Sequence, residues 1–122
     1  MKTNLNNNYQ PNFQAKISPT FENFLRNHFN NGSNRIQNNY RLTQKIAEYG
    51  TFGYRDYTLN LMKKNIGFGN EYAIVATKTE QTINEGIVIT KKNSIKQIIE
   101  DFFSMTKNRL NRYMHKRRIY KM

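Results

Sequence analysis

The chain has 122 residues, 37% of them hydrophobic, no cysteine, and a formal net charge of +12. That length accommodates one domain around one core, and the lack of cysteine excludes disulfides, thiolate metal sites and a thiol nucleophile. The charge excess points to an anionic partner, polyphosphate being the commonest target of such a field.

The opening MKTNLNNNYQPNFQ has no apolar run of signal-peptide length, and no later stretch approaches the roughly 20 residues that span a bilayer. A cytoplasmic protein with no membrane partner is therefore expected. Residues 1–11 are polar, Asn-rich and aperiodic, as in a mobile arm. The 19 asparagines fall mostly in expected loops and caps, where asparagine is favoured for backbone reasons.

Phe13, Ala15 and Ile17 alternate with Gln14 and Lys16, which predicts a short strand. Ser18-Pro19 then supplies an N-cap and a proline at the first helical position. In the helix that follows, Phe21, Phe24, Leu25, His28 and Phe29 recur at three and four residues and so share a buried face, until Asn30-Asn31-Gly32 stops it. Ser33 or Asn34 can cap a second helix that buries Ile36, Tyr40, Thr43, Ile46 and Ala47 and ends at Gly50. From Tyr54 the period becomes two, with Tyr57, Leu59 and Leu61 on one face and Thr58, Asn60 and Met62 on the other. The loop Asn65-Ile66-Gly67-Phe68-Gly69-Asn70 leads into Tyr72 to Thr77, whose apolar residues on both faces suit a central strand. After a polar stretch, residues 80–85, Gly86 to Thr90 predict a third strand. Asn93 or Ser94 then caps one long last helix carrying Ile95, Ile98, Ile99, Phe102, Phe103, Thr106, Leu110 and Tyr113 at helical spacing.

The fold class expected is α+β: a strand, a helical hairpin, a three-stranded antiparallel meander and a long C-terminal helix, with the helices on one face of the sheet. Residues 12–116 form the domain and residues 117–122 a basic tail.

Motifs with specific chemistry are scarce. Gly67-Phe68-Gly69 lies between two strands, so it reads as a hairpin turn and not as a phosphate cradle, which needs a strand-to-helix setting. With two histidines and no cysteine, no imidazole or thiolate metal cluster can be assembled. Glu100-Asp101 is the only adjacent carboxylate pair, and neighbours on a helix project in different directions. Neither a cofactor motif nor an acid/base dyad is visible. His115, with Tyr113 and Arg112 beside it, is the one group that could move protons next to a phosphodiester while cations stabilise its charge.

The basic end carries the strongest signal. Residues 102–122 hold Lys107, Arg109, Arg112, Lys116, Arg117, Arg118 and Lys121 and no carboxylate. Arg109, Arg112 and Lys116 recur at three and four residues, so they form one row along the helix without interleaved acids. Tyr113, Tyr120 and His115 between these cations suit stacking on unpaired bases, which favours RNA or single strands. Nucleic acid or a nucleoprotein is the expected partner, an acidic protein the alternative. Lys91, Lys92 and Lys96 supply secondary cations.

Two resemblances follow from the residues. From Asn34 onward the order helix, three strands, helix is similar to a double-stranded-RNA-binding domain, and Thr90-Lys91-Lys92 with Lys96 resembles that family's lysine run at the start of its last helix. Those lysines would then reach phosphates across the RNA major groove. The lysine spacing is one residue longer than the family's, and Ile98 and Ile99 stand where small alanines are usual. The order of the whole chain also resembles the RelE/ParE-type toxins, which implies a ribosome-dependent ribonuclease or a gyrase poison. A third expectation, a phage or mobile-element protein that inhibits a host protein–nucleic-acid complex, is compatible with the size and charge.

Overall fold

A computed structural model describes residues 17–78 and 86–116 and the backbone of 85 and 119–121. The expected arm, Phe13 to Lys16, most of the polar stretch before Gly86, Arg117 and Arg118, and the side chains of Tyr120 and Lys121 lie outside the described residues.

The element order is α1 (Pro19–Asn30), α2 (Arg35–Tyr49), β1 (Tyr57–Asn65), β2 (Asn70–Lys78), β3 (Glu85–Lys92), α3 (Ile95–Ser104), α4 (Lys107–Lys116) and β4 (Ile119–Lys121). This is an α+β fold whose sheet runs β1-β2-β3-β4, every neighbour antiparallel. Of the expected first strand, Ile17 makes a single parallel bridge to Leu59, and the Ser18 amide donates to the Leu59 carbonyl at 2.9 Å.

Ser18 and Pro19 start α1 as their types dictate: the Ser18 hydroxyl accepts from the Phe21 amide at 3.0 Å, and proline sits where its missing N–H costs nothing. Phe21 and Leu25 of this helix are buried, but His28 is exposed, with its ring edge-on to Phe29. In α2 the buried residues are Leu42 and Tyr49, while Ile36 and Tyr40 are 80% and 64% exposed. The face expected inside is thus largely outside. Both sets obey helical spacing, and the ring of Tyr49, stacked on Phe102 at 4.9 Å with its hydroxyl donating to the Phe102 carbonyl at 2.8 Å, fixes which one turns inward. Burial pushes the Tyr49 phenol well above its ordinary value, so it stays a proton donor.

β1 and β2 pair from Tyr57 opposite Lys78 to Asn65 opposite Asn70. The Ile66–Gly69 turn closes through an Ile66 N–H to Gly69 carbonyl bond of 3.0 Å, and the Gly67 amide donates to the Asn65 side chain at 2.8 Å. Gly67 has φ +96°, a left-handed conformation that glycine adopts without strain. Helices α1 to α4 share one core cluster with Leu59, Tyr72, Ile74, Ala76 and Ile89 of the sheet, while Ala73, Val75 and Val88 cluster with Met62 separately.

Between β2 and β3 the register shifts, with Thr90 opposite Ile74 but Val88 opposite Val75. Ile89 is the extra residue of this bulge, and Ile89 and Thr90 both turn to the helix side. Gly86 is fixed by close approach: a Cβ there would overlap Val75 Cγ1 and come within 2.9 Å of Thr77 Cγ2. Val75 is fully buried and cannot yield. Gly86→Ala is expected to cost about 1–3 kcal/mol of stability by overpacking, a loss that a thermal melt would register; an unaltered midpoint would contradict this packing.

The single long C-terminal helix is corrected to two. Met105 is extended (φ −64°, ψ 131°) and fully buried. Its carbonyl, which a continuous helix would use internally, instead accepts from Lys45 Nζ at 2.7 Å. The Thr106 hydroxyl accepts from the Arg109 amide at 3.2 Å and caps a new helix. The chain then does not leave the fold as a tail: Ile119–Lys121 pairs with Glu85–Ile87 as the fourth strand.

Candidate nucleic-acid interface

Leu110 and Met114 anchor α4 to the core. Beside them the Asn111 side chain accepts from the Tyr54 hydroxyl at 2.7 Å. Tyr54 has φ +60°, following Gly53 at +89°, so the loop before β1 holds a non-glycine residue in the left-handed region. That conformation is costly, and packing against the core together with the Asn111 bond offsets it.

Around the rest of α4 the cations form the expected stripe. With about 100° per residue, Arg109, Lys116 and Arg112 follow one another outward from Tyr113, and His115 lies beyond Arg112. Arg112, His115 and Lys116 are exposed. Among the described residues no carboxylate pairs with Arg112 or Lys116. Lys116 Nζ lies 5.8 Å from the Tyr113 ring centre and the Arg109 guanidinium 5.7 Å. Of the three groups considered for proton transfer, Arg112 and His115 are helical neighbours. Tyr113 and His115 are roughly 160° apart around the axis.

The inner edge of the stripe is not free of acids as the sequence suggested. Asp101 of α3, with its side chain 18% exposed, lies 3.8 Å from Arg109 and 3.7 Å from Lys92, and accepts from the Thr90 hydroxyl at 2.6 Å. Arg109 also donates to the Ser104 hydroxyl at 2.9 Å and to the Tyr113 hydroxyl at 3.3 Å. The Tyr113 hydrogen bond above all, with the Asp101 charge adding to it, holds the Arg109 guanidinium above its ordinary value against partial desolvation. Arg109 is therefore a clamp between α3 and α4 as well as a member of the stripe. Asp101→Asn keeps the shape of this hub but removes its charge, and should lower stability by about 1–3 kcal/mol. Equilibrium urea unfolding measures that loss, and an unchanged midpoint would show that the carboxylate is dispensable.

Three cations converge where α3 ends. Lys45 bonds the Met105 carbonyl, Arg109 the Ser104 carbonyl at 3.3 Å, and the Arg41 guanidinium sits 4.8 Å over the Phe103 ring. α3 has no basic residue in its own last turn, so the negative end of its dipole is met from α2 and α4. Sequence reasoning missed Arg41 and Lys45 in this role, although their four-residue spacing places them on one side of α2.

Lys91 and Lys92 part company: Lys92 opposes Tyr72 on the helix side, Lys91 opposes Ala73 on the other face, and Lys96 is exposed in the first turn of α3. No group of three or more His, Asp or Glu among the described residues could hold a metal, and none of the described helices is long and apolar enough to cross a membrane. Comparisons with protein-family models, curated proteins and solved structures found no match.

Proposed function

We propose that this chain binds nucleic acid, RNA in preference, or a nucleoprotein, through electrostatic contacts from α4 to phosphates. The observation that carries the proposal is the exposed stripe of α4, where Arg112 and Lys116 have no carboxylate partner among the described residues while Leu110 and Met114 hold the helix firmly on the core. An ordinary solvated helix surface interleaves acids with bases; this one does not. A fixed row of cations loses little conformational freedom when it meets a polyanion, and releases counterions as it does so.

In this reading Arg112 and Lys116 make the principal phosphate contacts together with Arg117, Arg118 and Lys121. Arg109 contributes from the inner edge, where Asp101 already fixes its head group. Lys91 and Lys96 make secondary contacts, and Lys92 makes one beside the inner edge of the stripe, where it shares Asp101 with Arg109. Tyr113 and Tyr120 are the stacking groups, and the approach of Arg109 and Lys116 to the Tyr113 ring leaves it less face to offer a base. The test is fluorescence anisotropy of the purified protein with labelled single- and double-stranded RNA and DNA, each RNA being checked afterwards for cleavage. Binding with intact RNA supports a binder; cut RNA would favour the toxin-like ribonuclease; tighter binding to a host protein–RNA complex than to naked RNA would favour the inhibitor.

A further inference from the structure

A second basic surface lies at the end of the sheet formed by the β1–β2 turn and the β3–α3 junction. Lys63 opposes Tyr72, and Tyr72 in turn opposes Lys92, so the two lysines flank one tyrosine across three strands on the helix side. Their backbones are about 10 Å apart, two inter-strand spacings. Lys64 and Lys91 lie on the other face of the same end, and Lys96 follows in the first turn of α3. The helix face of this end thus carries Lys63 and Lys92, with Asp101 already engaged by Thr90, Lys92 and Arg109, while the other face carries Lys91 and Lys64, with Glu71 opposite Lys64.

Beyond them projects Phe68, 94% exposed at the tip of the turn. The turn is closed by the Ile66–Gly69 and Gly67–Asn65 hydrogen bonds, so the ring is presented on a built hairpin. A rigid aromatic ring beyond a set of cations is what unpaired bases require: the lysines hold the backbone and the ring takes a base. The surface is also continuous with the first one, because Lys92 and Arg109 meet at the two oxygens of Asp101.

We infer that the β1–β2 hairpin is a second nucleic-acid contact, in which Phe68 stacks on an unpaired base while Lys63 and Lys92 contact the flanking phosphates. This rests on the proposed role of α4 and specifies its ligand, a strand with unpaired bases long enough to run from α4 past Asp101 to the hairpin. A fully paired duplex offers Phe68 no base, and only the phosphate contacts would hold it.

The chain contains no tryptophan, so Phe68→Trp places a single fluorophore at the tip. Titrating this variant with oligouridylate should quench its emission, and Phe68→Ala should weaken oligouridylate binding roughly five- to a hundredfold while duplex affinity stays within about twofold of wild type, as expected when no base is there to stack. Both substitutions are at an exposed turn position and leave the fold intact. Wild-type binding with silent tryptophan emission and undiminished affinity of Phe68→Ala would overturn the hairpin contact alone. Failure of the wild type to bind any nucleic acid would overturn the α4 proposal and this one with it. A blue shift on phosphatidylserine-containing vesicles without a response to oligouridylate would overturn it in favour of a membrane surface.

Discussion

Replacing Arg112, Lys116, Arg117 and Arg118 together by glutamine is expected to lower affinity for single-stranded RNA by about two to three orders of magnitude at ~0.1 M salt. Each phosphate contact on a single strand contributes about 0.7 to the slope of log K against log salt, so four contacts remove about 3 from that slope. The same variant should melt close to wild type, because exposed substitutions away from caps and ion pairs usually change stability by no more than about 0.5 kcal/mol. Arg112 meets that condition, and Lys116, exposed and outside the ion pairs of the described residues, adds only the ~0.3–1 kcal/mol that a cation contributes at a helix C-terminus. Retention of wild-type affinity and salt slope would remove α4 from the account. Loss of affinity with an unchanged slope would point to contacts other than phosphates.

The largest effect on stability is expected at Phe102. It is fully buried, stacks on Tyr49, meets Phe21 edge-on at 5.4 Å, and its carbonyl accepts the only hydrogen bond described for the Tyr49 hydroxyl. Phe102→Ala should cost about 3–5 kcal/mol, a large part of the ~5–15 kcal/mol that holds a domain of ordinary stability together. Urea unfolding at equilibrium measures it. A loss under about 1 kcal/mol would mean that α2 and α3 can close the gap, which the packed Tyr49 ring argues against.

Local chemistry made much of the fold readable in advance. Ser18 and Pro19 at the start of α1, Ser94 at the start of α3, and Asn65 with Gly67 in the hairpin each act through neighbours a few residues away, and each does in the structure what its type suggests. What could not be read depends on partners far along the chain. Met105 and Thr106 are not helix breakers, and the break there requires Lys45, sixty residues earlier, to take the Met105 carbonyl. The phase of α2 required Phe102 to select Leu42 and Tyr49 over Ile36 and Tyr40. A strand of three residues, Ile119–Lys121, carries too short a pattern to be seen without the edge of β3 to pair with.

The same division runs through the site. The cationic stripe of α4 follows from spacing within one helix and was legible. That its inner member Arg109 is shared with Asp101 was not, because the carboxylate comes from α3 and meets Arg109 only after the chain turns at Met105. Lys91 and Lys92, adjacent in sequence, are divided by the pleat, which sends neighbours to opposite faces.

The most direct measurement is the affinity of the wild-type protein for one single-stranded RNA, by anisotropy, over a series of salt concentrations. Micromolar or tighter binding whose logarithm falls steeply and linearly with log salt, a slope of about −3 or more in magnitude, is the result that phosphate contacts from α4 predict. No binding at moderate salt, or binding indifferent to salt, would contradict it.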